Sequence, residues 1–290
     1  MLYTGHTDNV FALSWSPDGS AVASGGRDKT VHLWNPRTCV SSLVYSAHKN
    51  YILSVAWSPD NTRIASGDTD GEVHVWDALT GETLNIYKGH VRFVRGTAWS
   101  SNSRFIASGG EYGGNTVQIW EASTGVHMYT HTAQYRIFAV SWSPQRSTIA
   151  SASFDGLVLL WDAMSGKVSQ SYHGHTSPVY AVQWSSSGHY IASGGQDGTV
   201  HICDVITGNG MHIYRGHQGA VKALSWAPDS MYIVSGSDDT TVQVWNAFTG
   251  ERVDNYTEHH AWVRAVAWSP TENYIVSASG KSVRIDRCVI

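Results

Sequence analysis

Residues 51–90 read YILSVAWSPDNTRIASGDTDGEVHVWDALTGETLNIYKGH, and the way this stretch divides decides the fold. It breaks into four short runs, YILSVAW, RIASG, EVHVW and ETLNIYKG, in which apolar residues alternate with Ser and Thr. Pro-Asp, Asp-Gly and Thr-Gly turn chemistry separates the runs. No run keeps a 3.6-residue period long enough for a helix of ten residues. The stretch is therefore read as four antiparallel strands.

The same wording recurs along the chain. Trp15, Trp57, Trp99, Trp142, Trp184, Trp226 and Trp268 stand in register at steps of 42 or 43 residues. A second series holds Trp34, Trp76, Trp120, Trp161 and Trp245, with Cys203 in the matching place of the fifth unit. Together the two series take up 12 of the 13 tryptophans and leave only Trp262 outside. Four-stranded units at this period are propeller blades. Seven of them account for 290 residues, so the expectation is an all-β, seven-bladed β-propeller of four-stranded antiparallel blades filling residues 1–290 as one domain. The repeats begin near 6, 48, 90, 133, 175, 217 and 259.

Composition narrows the function. Nineteen Lys+Arg against 23 Asp+Glu give a net charge of −4, which does not suit a chain that condenses on nucleic acid or anionic membrane. Cys39, Cys203 and Cys288 are far apart and lack C-x-x-C spacing, so neither a disulfide framework nor a zinc site is signalled. Reduced thiols, no signal-peptide pattern at MLYTGHTDNV and no apolar run of about 20 residues point to a cytoplasmic protein.

The motifs resemble those of the WD-repeat β-propeller family along essentially the whole chain. Gly-His stands at Gly5-His6, Gly89-His90, Gly174-His175 and Gly216-His217, with Ala47-His48 and Glu258-His259 as variants. Trp-Asp stands at Trp76-Asp77 and Trp161-Asp162, relaxed at Trp34-Asn35, Trp120-Glu121 and Trp245-Asn246. The uniform WSPDG and IASGG wording is similar to the highly regular bacterial members, which often form one segment of a longer protein.

Ser, His, Asp and Trp recur together, and a hydrolase reading must be weighed. The sets are His6, Ser24, Asp28 and Trp34; His48, Ser66, Asp70 and Trp76; His175, Ser193 and Asp197; and His217, Ser235, Asp239 and Trp245. A nucleophilic triad occurs once per active site, whereas this group recurs at the period of the fold. Its hydroxyl, imidazole, carboxylate and indole N–H are complementary, so each set is read as a hydrogen-bond chain inside one blade. The resemblance implies the same.

Some units depart from the pattern. The fourth has Ala133 for the histidine, with His131 two residues early, and the fifth has Cys203 for the tryptophan. The third carries two extra residues and Glu111 as its nearest acid, and the seventh has Asp286 for its second tryptophan. Blades three and seven are expected to be the least rigid.

The last unit stops after its third run, and the resemblance implies that residues 1–4 supply its outer strand. Four residues fall short of the usual strand of about 5–6. The expectation is a chain excised from, or engineered out of, something longer, with self-association possible at an incompletely closed seam.

In this family the partner-binding face uses the residues six and four before the first tryptophan and the residue before the turn aspartate. The first offset gives Asn9, Tyr51, Phe93, Arg136, Pro178, Ala220 and Trp262. The second gives Phe11, Leu53, Arg95, Phe138, Tyr180, Lys222 and Arg264. The third gives Arg27, Thr69, Phe154, Gln196 and Asp238, with Tyr112 as the guess in the irregular third unit. Six of the first fourteen are aromatic, against 11% of the chain, four are basic and none is acidic. Aromatics with Arg are what interface cores favour. The residues expected to carry binding are Phe11, Arg27, Tyr51, Phe93, Arg95, Arg136, Phe138, Phe154, Tyr180, Lys222, Trp262 and Arg264. The alternative for several aromatics is that they merely plug the channel mouth.

The expected function is a non-catalytic interaction scaffold holding a protein or peptide segment that carries acidic residues. Its rivals are a structural or engineered ring with no ligand of its own, and a regulatory or sensor module cut from a larger bacterial protein. A nucleic-acid binder lacks a Lys/Arg run, and an enzyme lacks HExxH, a Gly-Lys phosphate loop or a carboxylate pair outside the repeat. His173 with His175, and His259 with His260, resemble ligand pairs, but one member of each is a scaffold histidine. No catalytic residue, metal or cofactor is expected.

Overall fold

The computed structural model describes residues 1–111 and 114–288, and among them there is no helix. The strands form seven four-stranded antiparallel sheets, so the protein is a seven-bladed β-propeller. Blade one runs from the inner strand Val10–Trp15 through Val22–Gly26 and Val31–Asn35 to the outer strand Val40–Tyr45. Each inner strand packs on those of the two adjacent blades, and the first packs on the last, which closes the ring.

The local chemistry explains the short strands. After Trp15, the Asp18 carboxylate accepts hydrogen bonds from Ser16 Oγ at 2.6 Å and from the Ser20 amide at 3.0 Å. Gly19 follows at φ +71°, a left-handed conformation that a side chain would strain. At the third-to-outer connection of blade two, Asp77 Oδ1 accepts from the amides of Leu79 and Thr80, and Gly81 turns the chain at φ +75°. Such turns recur around the ring, and apart from the two-residue strand Leu2–Tyr3 every strand runs for five or six residues.

The core lies between blades. Ala12, Val31 and Leu33 of blade one pack with Ile52, Ile64 and Trp76 of blade two, and comparable clusters fill the other six interfaces. Trp34, Trp76, Trp120, Trp161 and Trp245 are fully buried there. Each indole lies against a ring from the preceding blade's outer strand. Tyr3 stacks on Trp34, Tyr45 on Trp76, Tyr87 on Trp120 and Tyr214 on Trp245, at centroid distances of 4.3–4.5 Å and nearly parallel planes. His131 occupies the tyrosine's register position opposite Val117 and stacks on Trp161 at 5.0 Å. The histidine that reads as two residues early is thus the blade-three stacking ring.

The seventh blade joins both ends of the chain. Leu2 and Tyr3 pair antiparallel with Arg284 and Val283, and the Ile285 amide donates to the Met1 carbonyl at 2.9 Å. Only two residues make this outer strand, but Tyr3 is buried and its stack on Trp34 ties the seam to blade one.

Candidate functional site

The residues of the recurring sets meet inside each blade. His6 Nδ1 lies 2.7 Å from Asp28 Oδ2, its Nε2 lies 2.8 Å from Ser24 Oγ, and the Trp34 indole N–H donates to the same hydroxyl at 3.0 Å. The set His217, Asp239, Ser235 and Trp245 is arranged alike, at 2.9, 2.8 and 3.2 Å. His175 lies 3.0 Å from Asp197 and 3.0 Å from Ser193. Burial opposes the charge on Asp28, but the His6 contact and the Thr30 and Thr7 donors outweigh it and hold the carboxyl below its ordinary range. Ser24, Ser66 and Ser235 are fully buried and already engaged by imidazole and indole. A hydroxyl so placed cannot reach a substrate.

Blade two requires a correction. Its histidine pairs with Asp68 rather than Asp70: His48 Nδ1 lies 2.8 Å from Asp68 Oδ2, while Ser66 and Trp76 keep their places. Asp68 stands two residues earlier, at the end of the second strand, paired with Ile52 as Gly26 is with Val10, and its other oxygen caps the turn amides of Asp70 and Glu72. Asp70 faces outward and accepts from Asn50. An aspartate at either position can reach the same imidazole, and the one closer to the buried strand wins.

A second layer of side chains backs these sets. His32 and His74 precede the blade tryptophans by two, and their Nδ1 atoms meet the hydroxyls of Tyr3 and Tyr45 at 2.6 and 2.8 Å. Gln118 and Gln243 take the same position and accept from Tyr87 and Tyr214. The recurring Tyr three residues before each Gly-His histidine is the sign of this layer in the sequence. His32 stacks on His6 at 4.0 Å, and burial, with His6 after it, pulls its pKa down to about 4. Three groups, His6–Asp28–His32, His48–Asp68–His74 and His175–Asp197–His201, have the compactness a metal site needs. In the first two every ring nitrogen already has a protein partner, and in the third three of the four do. Their recurrence marks them as scaffold.

The expected binding residues gather at one end of the channel. Every inner strand carries a β-bulge, located between Val10 and Ala12 in blade one and at the equivalent place in the other six. The extra residues are Phe11, Leu53, Arg95, Phe138, Tyr180, Lys222 and Arg264, the positions four before the first tryptophan. A bulge frees a residue from the ladder and re-aims its side chain. Six residues before the tryptophan, the carbonyl is held by the residue that follows the second strand. Arg27 N donates to Asn9 O at 2.8 Å, Thr69 N to Tyr51 O at 3.0 Å, and Phe154 N to Arg136 O at 3.0 Å. The three places per blade are therefore one structural unit.

A cavity of about 500 Å³ opens there, lined by Phe11, Tyr51, Phe93, Arg95, Phe138, Tyr180, Lys222 and Arg264, with Leu53 and Thr69. The remaining four expected residues form its rim. Arg27 lies 5.3 Å over the Tyr51 ring, Phe154 packs 6.3 Å from Phe138, Arg136 lies 5.6 Å over Phe154, and Arg264 lies 4.6 Å over Trp262. Trp262 is 52% exposed, unusual for so large a ring.

The structure also pairs acids of this face with its cations. In blade three the residue whose amide meets the Phe93 carbonyl is Glu111, so Glu111 holds the place for which Tyr112 was the guess; Tyr112 lies outside the described residues. The two extra residues in that turn hid the register. Arg95 Nε and Nη2 donate to Glu111 Oε1 at 2.9 and 2.7 Å. Lys222 Nζ lies 3.4 Å from Asp238 and 3.4 Å from the Tyr180 centroid, and Arg27 lies 3.6 Å from Asp8. Burial lowers the Lys222 pKa, Asp238 opposes this, and the nearby Arg264 and Arg95 add to it. Three cations thus converge with two carboxylates, and among the described residues no carboxylate pairs with Arg264.

Comparison with known proteins then decides the family. Seven matches to the repeat described as WD domain, G-beta repeat, cover 1–35, 37–77, 81–121, 124–162, 166–204, 208–246 and 250–285. The chain belongs to the WD40 family. Over 44 residues it is 48% identical to Protein HIRA of Zea mays, covering 15% of this chain and 5% of that protein. Over 40 residues it is 50% identical to Cell division cycle 20.5, cofactor of APC complex, of Arabidopsis thaliana, covering 14% of this chain and 9% of that protein. A rice HIRA is 54% identical over 35 residues, 12% of this chain and 4% of its own. The matched segments are about one WD40 repeat long and span under a tenth of these plant relatives. The resemblance to regular bacterial members is not what these matches show. Among the described residues no helix is long and apolar enough to cross a membrane.

Proposed function

We propose that this WD40 ring is a non-catalytic interaction scaffold that holds a protein or peptide segment at the channel mouth, with an acidic residue of the partner against Arg264. The observation that carries the reading is the convergence of five aromatic rings and three cations on one cavity, six of these eight side chains aimed there by the inner-strand bulges. Aromatic rings supply buried area at small entropic cost, and a guanidinium binds a carboxylate bidentately. Because Glu111 and Asp238 already partner Arg95 and Lys222, the acidic requirement narrows to one carboxylate or phosphate near Arg264 and Trp262. The name of the Arabidopsis relative, a cofactor of a complex, supports a role in assembly.

Selection of a random peptide library on the immobilised protein tests this. Enriched peptides are expected to carry aromatic and acidic residues and to bind Trp262→Ala at least tenfold more weakly. Arg264→Glu should weaken them further and reverse the charge preference. Unchanged affinity for both variants refutes the assignment. A binder whose affinity falls steeply with salt and which is a nucleic acid would instead favour phosphate contacts.

A further inference from the structure

Blades five and seven lack the buried indole of the repeat, and in blade five the structure leaves that space open. Cys203 occupies the tryptophan's position, paired with Ile191 as Trp34 is with Val22. A cavity of about 560 Å³ lies there, lined by Cys203, Ser193, His175, His201, Tyr172 and Met211 among others. A cavity of roughly 150 Å³ already suffices to bind benzene. His175 is accordingly more exposed than its counterparts His6, His48, His90, His217 and His259, all of which are buried.

The lining retains every partner that an indole has elsewhere. In five blades the indole N–H donates to a serine hydroxyl, at 3.0–3.2 Å, and the counterpart of that serine here is Ser193. Ser193 Oγ meets His175 at 3.0 Å but has no indole donor. In four of those five blades a tyrosine stacks on the indole, and the counterpart here is Tyr172. Tyr172 has turned aside. Its hydroxyl donates to Gln170 at 2.6 Å and lies 3.3 Å from the Asp204 carbonyl, whereas those of Tyr3 and Tyr45 meet His32 and His74. Burial pushes the Cys203 thiol up to about 12, so the floor of the space is neutral.

We propose that this gap is a binding site for a small neutral aromatic heterocycle with a ring N–H, of which indole is the parent. The ring lies over Cys203, its N–H donates to Ser193 Oγ, and Tyr172 swings back to stack on it and reach His201. The driving force is the one that holds the five native indoles: burial of a large aromatic surface plus one directed hydrogen bond. A metal ion fits the site less well, because the His175–Asp197–His201 group has counterparts in blades one and two that are closed by protein hydrogen bonds. The site shares no lining residue with the channel-mouth cavity and stands or falls independently of the interaction surface.

The test uses the intact protein with indole and with indene, which has the same shape and no N–H. Calorimetry should show indole binding about fivefold tighter than indene, the ratio expected of one hydrogen bond, and indole should raise Tm. Ser193→Ala should bring the two ligands to equal affinity. Cys203→Trp should melt higher than the parent and no longer bind either. Absence of indole binding up to its solubility, or undiminished binding by Cys203→Trp, overturns the proposal. Should that variant not fold, an indole-to-indene ratio of one in the parent protein overturns it equally.

Discussion

Asp68 and Asp70 differ by two residues and by their whole energetic role. Asp68 is buried against His48 and holds two turn amides, whereas Asp70 sits at the surface beside Asn50. Removing the Asp68 carboxylate leaves a buried imidazole and two turn amides without their acceptor, which costs about 3 kcal/mol. Asp68→Ala should therefore lower stability by about that amount, and Asp70→Ala by no more than about 0.5 kcal/mol. Urea unfolding midpoints of the two variants check this, and equal losses would restore Asp70 as the scaffold acid. At the same scale, the positions four before the first tryptophan could be named because the family resemblance supplies the offset and the repeat keeps it constant. Glu111 could not, because two extra residues displaced the only marker by which its place is counted.

At the scale of the element, the seam is the telling case. Two residues of outer strand make few ladder bonds, and the blade is held instead by the buried Tyr3 ring between Trp34 and His32. Tyr3→Ala removes an aromatic from a packed interface, a change of about 3–5 kcal/mol for rings of this size. The amides of Ser282–Arg287 should then exchange with solvent before those of the other third strands. Blades three and seven are expected to exchange earlier than the rest even in the unaltered protein. His90 meets Ser108 but no carboxylate among the described residues, and His259 likewise meets only Ser277. Uniform protection across seven blades would remove that expectation. The four-strand unit itself was plain from its alternation and turns, but the stacking of each outer-strand tyrosine on the next blade is a contact between units that no single repeat displays.

For the whole molecule, the ring concentrates buried histidines, and this sets its response to acid. Burial draws His32, His90, His201 and His259 down to about 4, against about 6.5 in an unfolded chain. Between those values the unfolded chain binds protons that the folded ring refuses, so stability is full above about pH 6.5 and falls as the pH drops toward 4. Asp197, held at about 2 against the cost of its own burial, adds a further loss below about pH 4. Each histidine contributes on the order of 2 kcal/mol. Unfolding midpoints at pH 7.5, 5.5 and 4.5 should decline in that order. His32→Gln, which copies Gln118 and Gln243 at the same position, should flatten the decline while keeping the tyrosine contact.

The sequence by itself determined the number of blades, the strands within each and the seven inner tryptophans. These follow from a period, a one-dimensional property that burial and turn chemistry impress on the chain, and the family resemblance added the offsets that point at the channel mouth. The tertiary structure alone decided which aspartate His48 takes, which cations on the binding face are already paired, how two residues close a blade, and that Cys203 leaves a space. These depend on which side chains meet across a turn or between neighbouring blades. At that distance hydrogen-bond geometry and packing choose among candidates that the spacing treats as equal.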